Sequence, residues 1–239
     1  MTLIGECDKP IIDYIEEKDR LKAEENRRVL KNFYSVIKDL DDKIKLLFIT
    51  GVSKFSKVLF FSELNNLTDI TLNENFSQII DYTEKEIKDN YNYYLKIVED
   101  KFKIDRDQLF RTLSYWYNGY SWDGENFLYN PYSVLNLLYS CSFKNYWFNN
   151  GTPTFLTKMI RKQNIEIDNY ESSLDVESDL LDSNEDNIDF NIILFQTGYL
   201  TIKKRIINSD DFSESYKLTY PNREVRDSFY IILSANSRE

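Results

Sequence analysis

The sequence predicts an α/β fold, and three observations carry the prediction. Two short apolar runs, Leu3-Ile4 and Leu46-Leu47-Phe48-Ile49-Thr50, are separated by a long helical stretch. From Thr83 onward the pattern turns helical. The last fifty residues then read as helix, two strands and helix. These observations divide the chain into a core over 1–80, a helical region over 81–165, and an acidic loop with a small α+β, winged-helix-like end domain over 166–239.

In chain order, the first strand runs into Pro10, which suits a helix start because its missing N–H is not needed there. Residues 11–40 are helical by composition, with a break near Lys18-Asp19. Leu30, Phe33, Tyr34, Ile37 and Leu40 recur at spacings of three and four, an amphipathic stripe. The run ending at Thr50-Gly51 is continuously apolar, as suits a strand covered on both faces in a parallel sheet. Strand, helix and strand make one crossover unit of a doubly wound core. The segment from Ser53 is a polar loop with apolar anchors, and Asp69-Ile70-Thr71-Leu72 reads as one more short strand.

Thr83-x-x-Glu86 forms a capping box at the start of a helical stretch over 83–101, and a second helix spans 106–117. Tyr120–Trp122 and Phe127–Tyr129 flank Asp123-Gly124-Glu125-Asn126 as a hairpin. Asn130-Pro131 and Thr152-Pro153 each start a further helix. Asp and Glu are dense from Glu166 to Asp189, and no Lys or Arg occurs between Lys162 and Lys203, which reads as a solvated acidic loop. Asp182, Asn184 and Asp186 alternate as in a calcium loop, but Asn187 and Ile193 stand where that loop needs Gly and Glu. A helix over 187–199, strands over 200–207 and 216–219, and a helix from Pro221 to about Ser234 complete the chain.

Composition narrows the chemistry. With 239 residues, 15% aromatic and 29% charged, the chain can bury a sizeable core. A formal charge of −10 disfavours non-specific nucleic-acid binding, which needs clustered Lys and Arg. The absence of histidine excludes Ser-His-Asp and Cys-His catalysis and any His-containing zinc site. Cys7 and Cys141 are too few for a disulfide framework and read as free thiols. Neither a signal peptide nor a run of about 18 apolar residues is present, so a soluble protein of the cytoplasm, not a membrane protein, is expected.

The chemistry-bearing motif is Leu3-Ile4-Gly5-Glu6-Cys7-Asp8-Lys9-Pro10, close to a Walker B strand. In P-loop ATPases an Asp at the position of Gly5 holds Mg²⁺ through water, and the next Glu orients the attacking water. Glu6 is present here, but the metal-binding Asp is replaced by Gly5. Asp8 is a weak substitute, two residues beyond the strand tip. None of the six glycines gives G-x-x-x-x-G-K-[ST] or G-x-G-x-x-G, so the backbone cradle for phosphate is missing from the sequence. Each site residue also has a plain structural reading. Glu6 is then a carboxylate capping the following helix, and Thr50 simply closes a strand. Tyr115, Trp116, Tyr117, Tyr120 and Trp122 are then core aromatics, not a stacking platform, and Lys54 and Lys57 solvate the surface.

Several segments in order, Leu3–Ile11, Phe48–Lys57, Leu64–Leu72, Trp116–Trp122, Tyr129–Pro131, Asn145–Phe148 with Gly151–Leu156, Leu194–Leu200 and Tyr220–Val225, resemble the AAA-ATPase-like family whose members usually carry a C-terminal PD-(D/E)XK nuclease domain. The resemblance covers essentially the whole chain. It implies a P-loop half before this region and a nuclease domain after it, so the chain is expected to be a partial member that holds the distal half of a P-loop NTPase core and a helical lid. It further implies Glu6 as the catalytic Glu of a degenerate Walker B and Thr50 as a sensor of the γ-phosphate. ATP and Mg²⁺ are the cofactors of intact members, and none is expected for this chain alone. The resemblance also places the P-loop strand beside the strand ending at Thr50. Without it that strand keeps an open edge, which invites a protein partner or self-association. The alternative expectation is a non-enzymatic interaction module acting through that edge. No nuclease constellation is evident in the sequence, and nucleic acid is not an expected partner.

Overall fold

Two short strands, β1 (Thr2–Ile4) and β2 (Leu47–Ile49), pair in parallel with Thr2 opposite Leu47 and Ile4 opposite Ile49. The computed structural model describes residues 1–12, 14, 19–51, 67–151, 174–177 and 190–234. The chain forms two compact units, one of Met1–Thr68 with Asp179–Thr197 and the other of Asp69–Ser178 with Gly198–Glu239.

In the first unit, parallel pairing requires a crossover, supplied by α1 (Lys9–Ile12) and α2 (Arg20–Asp39). Tyr34 and Ile37 of α2 are buried with Cys7 and Ile11, and Leu30, Ile4, Leu47 and Ile49 pack around them. The expected apolar stripe therefore needs correction. Phe33 and Leu40 are exposed, as are Leu21, Val29 and Val36 of the same helix. A pair of three-residue strands offers a helix only a narrow face to bury against, so the remaining apolar side chains stay on the surface. The described helix of residues 187–199 is α8 (Phe190–Gln196), with Ile192, Ile193, Leu194 and Phe195 all buried.

The second unit is built on helices α3 (Glu84–Asn90), α4 (Asn92–Phe102), α5 (Arg106–Tyr117), α6 (Pro131–Ser140) and α7 (Tyr146–Gly151). The capping box at Thr83 and Glu86 is formed, and Asn130 caps α6 with Pro131 in its first turn. Leu95, Val98, Leu109, Leu113, Tyr117, Val134 and Leu137 interlock in the core between these helices. β3 (Asn118–Tyr120) and β4 (Leu128–Tyr129) form the hairpin that follows α5. Gly119 has φ +120°, and a Cβ there would lie 1.9 Å from the Pro221 carbonyl oxygen, so only glycine fits. β5 (Leu174–Glu177), β6 (Thr201–Ile207) and β7 (Glu214–Thr219) form an antiparallel sheet in the order β5-β7-β6, followed by α9 (Arg223–Ser234).

Two further expectations are corrected. Residues 69–72 form a turn, not a strand, because the Asp69 carboxylate accepts from the Thr71 amide at 3.0 Å and its hydroxyl at 2.7 Å. Part of the acidic segment is strand β5, whose Asp175 lies opposite Lys217 with 3.4 Å between their charged atoms. The helix expected from Thr152-Pro153, the alternating Asp182, Asn184 and Asp186, and Lys54 and Lys57 lie outside the described residues.

Candidate functional site at the tips of the parallel strands

The ladder between the parallel strands continues past both of them. Thr50 donates its amide to the Ile4 carbonyl at 2.8 Å, and Cys7 donates to the Thr50 carbonyl at 3.0 Å. These bonds bring Gly5, Glu6 and Thr50 to one tip. The Cβ position of Gly5 lies 3.8 Å from Thr50 Oγ1, so a side chain at residue 5 would contact the Thr50 hydroxyl.

Glu6 has φ +50°, a left-handed conformation that costs a non-glycine residue of order 1 kcal/mol. The conformation turns the chain sharply out of the strand and leaves the carboxylate exposed, 3.3 Å from Lys9 Nζ. Asp8 is fully buried, by contrast. A Cβ on Gly51 would meet Asp8 Oδ1 at 2.9 Å and Cys7 Sγ at 3.0 Å, so the two residues after Glu6 pack against the bare Cα of Gly51. Tyr34 of α2 reaches the same place, where burial first, and then the neighbouring Cys7 and Asp8, push its phenol well above the usual range.

This arrangement does not fit a Mg²⁺ ion. Among the described residues, Glu6 is the one open carboxylate at the tip, Gly5 supplies no side-chain oxygen, and Asp8 is enclosed. No group of three or more His, Cys, Asp or Glu among the described residues could hold a metal.

The second unit contains three acidic residues in distinctive settings, Asp123, Glu224 and Asp81. Burial penalises the Asp123 carboxylate, yet Asn126 Nδ2 at 2.7 Å and the amides of Asn126 and Glu125, both at 2.8 Å, hold its pKa well below the usual range. Glu224, fully buried at the start of α9, accepts from Ser133 Oγ at 2.7 Å and from the amides of Tyr146 at 2.6 Å and Trp147 at 2.9 Å. Burial nevertheless pushes its pKa up. Asp81 is raised to about 6 by burial, against a hydrogen bond with Trp122. Asp123 lies in the Asp-Gly turn read as a hairpin and Glu224 in the Tyr220–Val225 segment of the resemblance, but the partners of Glu224, 77 to 91 residues away, could not be read from the sequence. The aromatic cluster divides: Tyr117 and Tyr120 are buried, whereas Tyr115 is exposed.

Comparison with known proteins bears on the first unit above all. Residues 1–61 match the model of the AAA-ATPase-like family, described as a predicted AAA-ATPase. Over 228 residues the chain is 37% identical to an uncharacterized protein encoded in the vnfD 5′ region of Azotobacter chroococcum mcd 1. That alignment covers 95% of this chain but 41% of the relative, so the chain spans about two-fifths of the length of the relative it matches. No solved structure matches the chain. No described helix is long and apolar enough to cross a membrane.

Proposed function

We propose that the first unit is the Walker B and sensor side of an AAA-type ATPase core in which metal-dependent hydrolysis is impaired. The observation that carries this reading is the shared tip of the parallel strands, where Gly5 and Glu6 face Thr50 across the ladder. The match of residues 1–61 to the AAA-ATPase-like family supports it. In this reading Glu6 is the surviving catalytic carboxylate, Thr50 is the sensor, and Gly5 marks the lost metal-binding position. The 239 residues contain no phosphate-binding glycine loop, so nucleotide binding at this tip requires residues outside them. Association with a nuclease domain rests on the family resemblance.

The test is to sequence the N-terminus of the native product and assay it. A product carrying an in-frame G-x-x-x-x-G-K-[ST] segment is expected to bind ATP, and Glu6→Gln is expected to lower any residual turnover at least tenfold. Turnover unchanged by Glu6→Gln would sink the assignment of Glu6.

A second reading, an interaction module, is favoured by the exposed apolar side chains around the strand pair. Val29, Phe33 and Val36 of α2 and Leu40 just after it follow one another at spacings of four, three and four, and Leu3 of β1 and Leu46, just before β2, are exposed. Sedimentation over a hundredfold concentration range tests it. Self-association relieved by Phe33→Asp supports this reading, and a monomer at every concentration argues against it.

A further inference from the structure

Residues 74–81 of the second unit form a strap of inverted polarity, with apolar side chains outward and polar ones inward. Phe76, Ile79 and Ile80 are 41%, 56% and 63% exposed. Ser77 is 4% exposed, and the Asp81 carboxyl is largely withdrawn from solvent, hydrogen-bonded to the side chain of Trp122 just after β3. Asn73 fixes one end, its Oδ1 accepting the Asn75 amide at 3.0 Å. The Tyr82 backbone fixes the other by pairing with Tyr129 at 2.8 and 3.1 Å. Among the described residues, each backbone hydrogen bond made by 74–81 stays within the strap or reaches Asn73. Side chains therefore hold the strap to the body: Glu74 to Arg205 of β6, Ser77 to Asp123, and Asp81 to Trp122. A segment that buries so little apolar surface opens locally at low cost.

Asp81 is the anchor whose strength depends on its charge. A neutral carboxyl is withdrawn from water at modest cost, whereas an ionised one with a single donor and no cation is not. Asp81 makes no ion pair among the described residues. The titratable groups around it do not compensate. Tyr120 of β3 is buried, and burial, then Glu224 and Asp81, hold its phenol un-ionised, far above the usual range. Burial opposes the Asp123 charge, but bonds from Asn126 and Glu125 preserve it, so the hairpin already carries one carboxylate. The Arg205 guanidinium is taken by Glu74 and Glu214. Tyr82, the next residue, shares a hydrogen bond with the Tyr91 hydroxyl at 2.9 Å.

We propose that residues 74–81 are a pH-sensitive strap, closed on the β3–β4 hairpin while Asp81 is protonated and loosened as Asp81 ionises. Asn73 and Tyr82 stay fixed as the hinges, and loosening uncovers Ser77 and frees Trp122 from its carboxyl partner. The sign follows from the raised folded pKa of Asp81, about 6 against an ordinary 3.8. Closure is fully favoured below about pH 4 and is lost as pH rises through 6. The strap belongs to the second unit and does not depend on the ATPase reading.

The experiment places a thiol under the strap with Ser77→Cys in the 239-residue chain and follows its reaction with a pyridyl disulfide at pH 4 and pH 7. Mass spectrometry separates the introduced thiol from Cys7 and Cys141, and a short peptide of the same sequence corrects for the thiol's own pH dependence. The corrected rate is expected to rise at least tenfold from pH 4 to pH 7. The two pKa values of Asp81 limit the rise to roughly a hundredfold. Adding Asp81→Asn should reduce the rise to less than threefold. Adding Glu74→Gln should speed the reaction by a similar factor at both pH values and keep the rise. Urea below the unfolding transition should leave the rate within twofold, because a local opening exposes little surface. In the chain without the introduced thiol, acrylamide quenching of Trp122, taken as the difference from Trp122→Phe, should increase over the same pH range. Equal corrected rates at both pH values, a rise that survives Asp81→Asn, acceleration by sub-denaturing urea, or Trp122 quenching indifferent to pH overturns the proposal.

Discussion

Gly51 and Asp8 are in close contact at the end of the parallel strands: a Cβ on Gly51 would stand 2.9 Å from Asp8 Oδ1. Asp8 is fully buried there, so the carboxylate has no room to retreat. Gly5, on the neighbouring strand tip, differs. The one heavy atom of the described residues near its Cβ position is Thr50 Oγ1 at 3.8 Å, and its φ is not left-handed.

These two glycines predict opposite outcomes. Gly51→Ala should destabilise the chain by about 1–3 kcal/mol, because the new methyl must displace Asp8 or Cys7. Gly5→Asp should stay within about 1 kcal/mol of the parent, since the side chain enters ordinary contact distance of Thr50. Urea unfolding of both variants checks the pair. A large loss in Gly5→Asp would show that glycine is required by the fold and would weaken its reading as a lost ligand.

Glu224 predicts a stability difference between two substitutions. Glu224→Ala strands a buried hydroxyl and two amides at the start of α7 and should cost about 3–5 kcal/mol. Glu224→Gln keeps one carbonyl for the amides of Tyr146 and Trp147, and its amide can donate to the Ser133 hydroxyl. It should cost roughly 1 kcal/mol. Equal losses in the two variants would contradict the clamp described for this residue.

Asp81 predicts a pH dependence. Its folded pKa, about 6, lies above the ordinary 3.8, so the folded state binds the proton more tightly than the unfolded chain. The associated stability is fully present below about pH 4 and is lost as pH rises through 6, a difference of roughly 3 kcal/mol. Asp81→Asn should therefore stabilise the protein at pH 7 and flatten the decline between pH 4 and 6, as read by chemical denaturation across that range. A variant less stable than the parent at pH 7 would contradict the assignment.

What the sequence made legible was local. The capping box at Thr83 and Glu86, the Asn130-Pro131 helix start and the apolar runs at Leu3 and Leu47 each depend on residues a few positions apart, and each takes the form read from the pattern. Non-local partners were not legible. Strand β5 emerges from an acidic stretch because β7, some forty residues later, offers it a pairing edge. Residues 69–72 have strand composition, but the Asp69 side chain captures the turn. At the candidate site, the spacing around Gly5 and Glu6 could be read directly, whereas the burial of Asp8 could not. The sequence offers Asp8 as a weak substitute ligand, whereas Gly51 and Tyr34, both distant in sequence, enclose it.

The proposed function treats the strand tips as an ATPase motif in which Gly5 replaces the metal-binding Asp and the given residues hold no phosphate-binding glycine loop. The most direct measurement is ATP turnover and thermal melting of the 239-residue chain in millimolar Mg-ATP, with Glu6→Gln and Thr50→Val alongside. The account predicts no turnover in any of the three, and no nucleotide effect on melting that depends on Glu6 or Thr50. Turnover by the unaltered chain that Glu6→Gln abolishes would contradict it, because the tip would then work without the Asp and the glycine loop that the proposed reading requires.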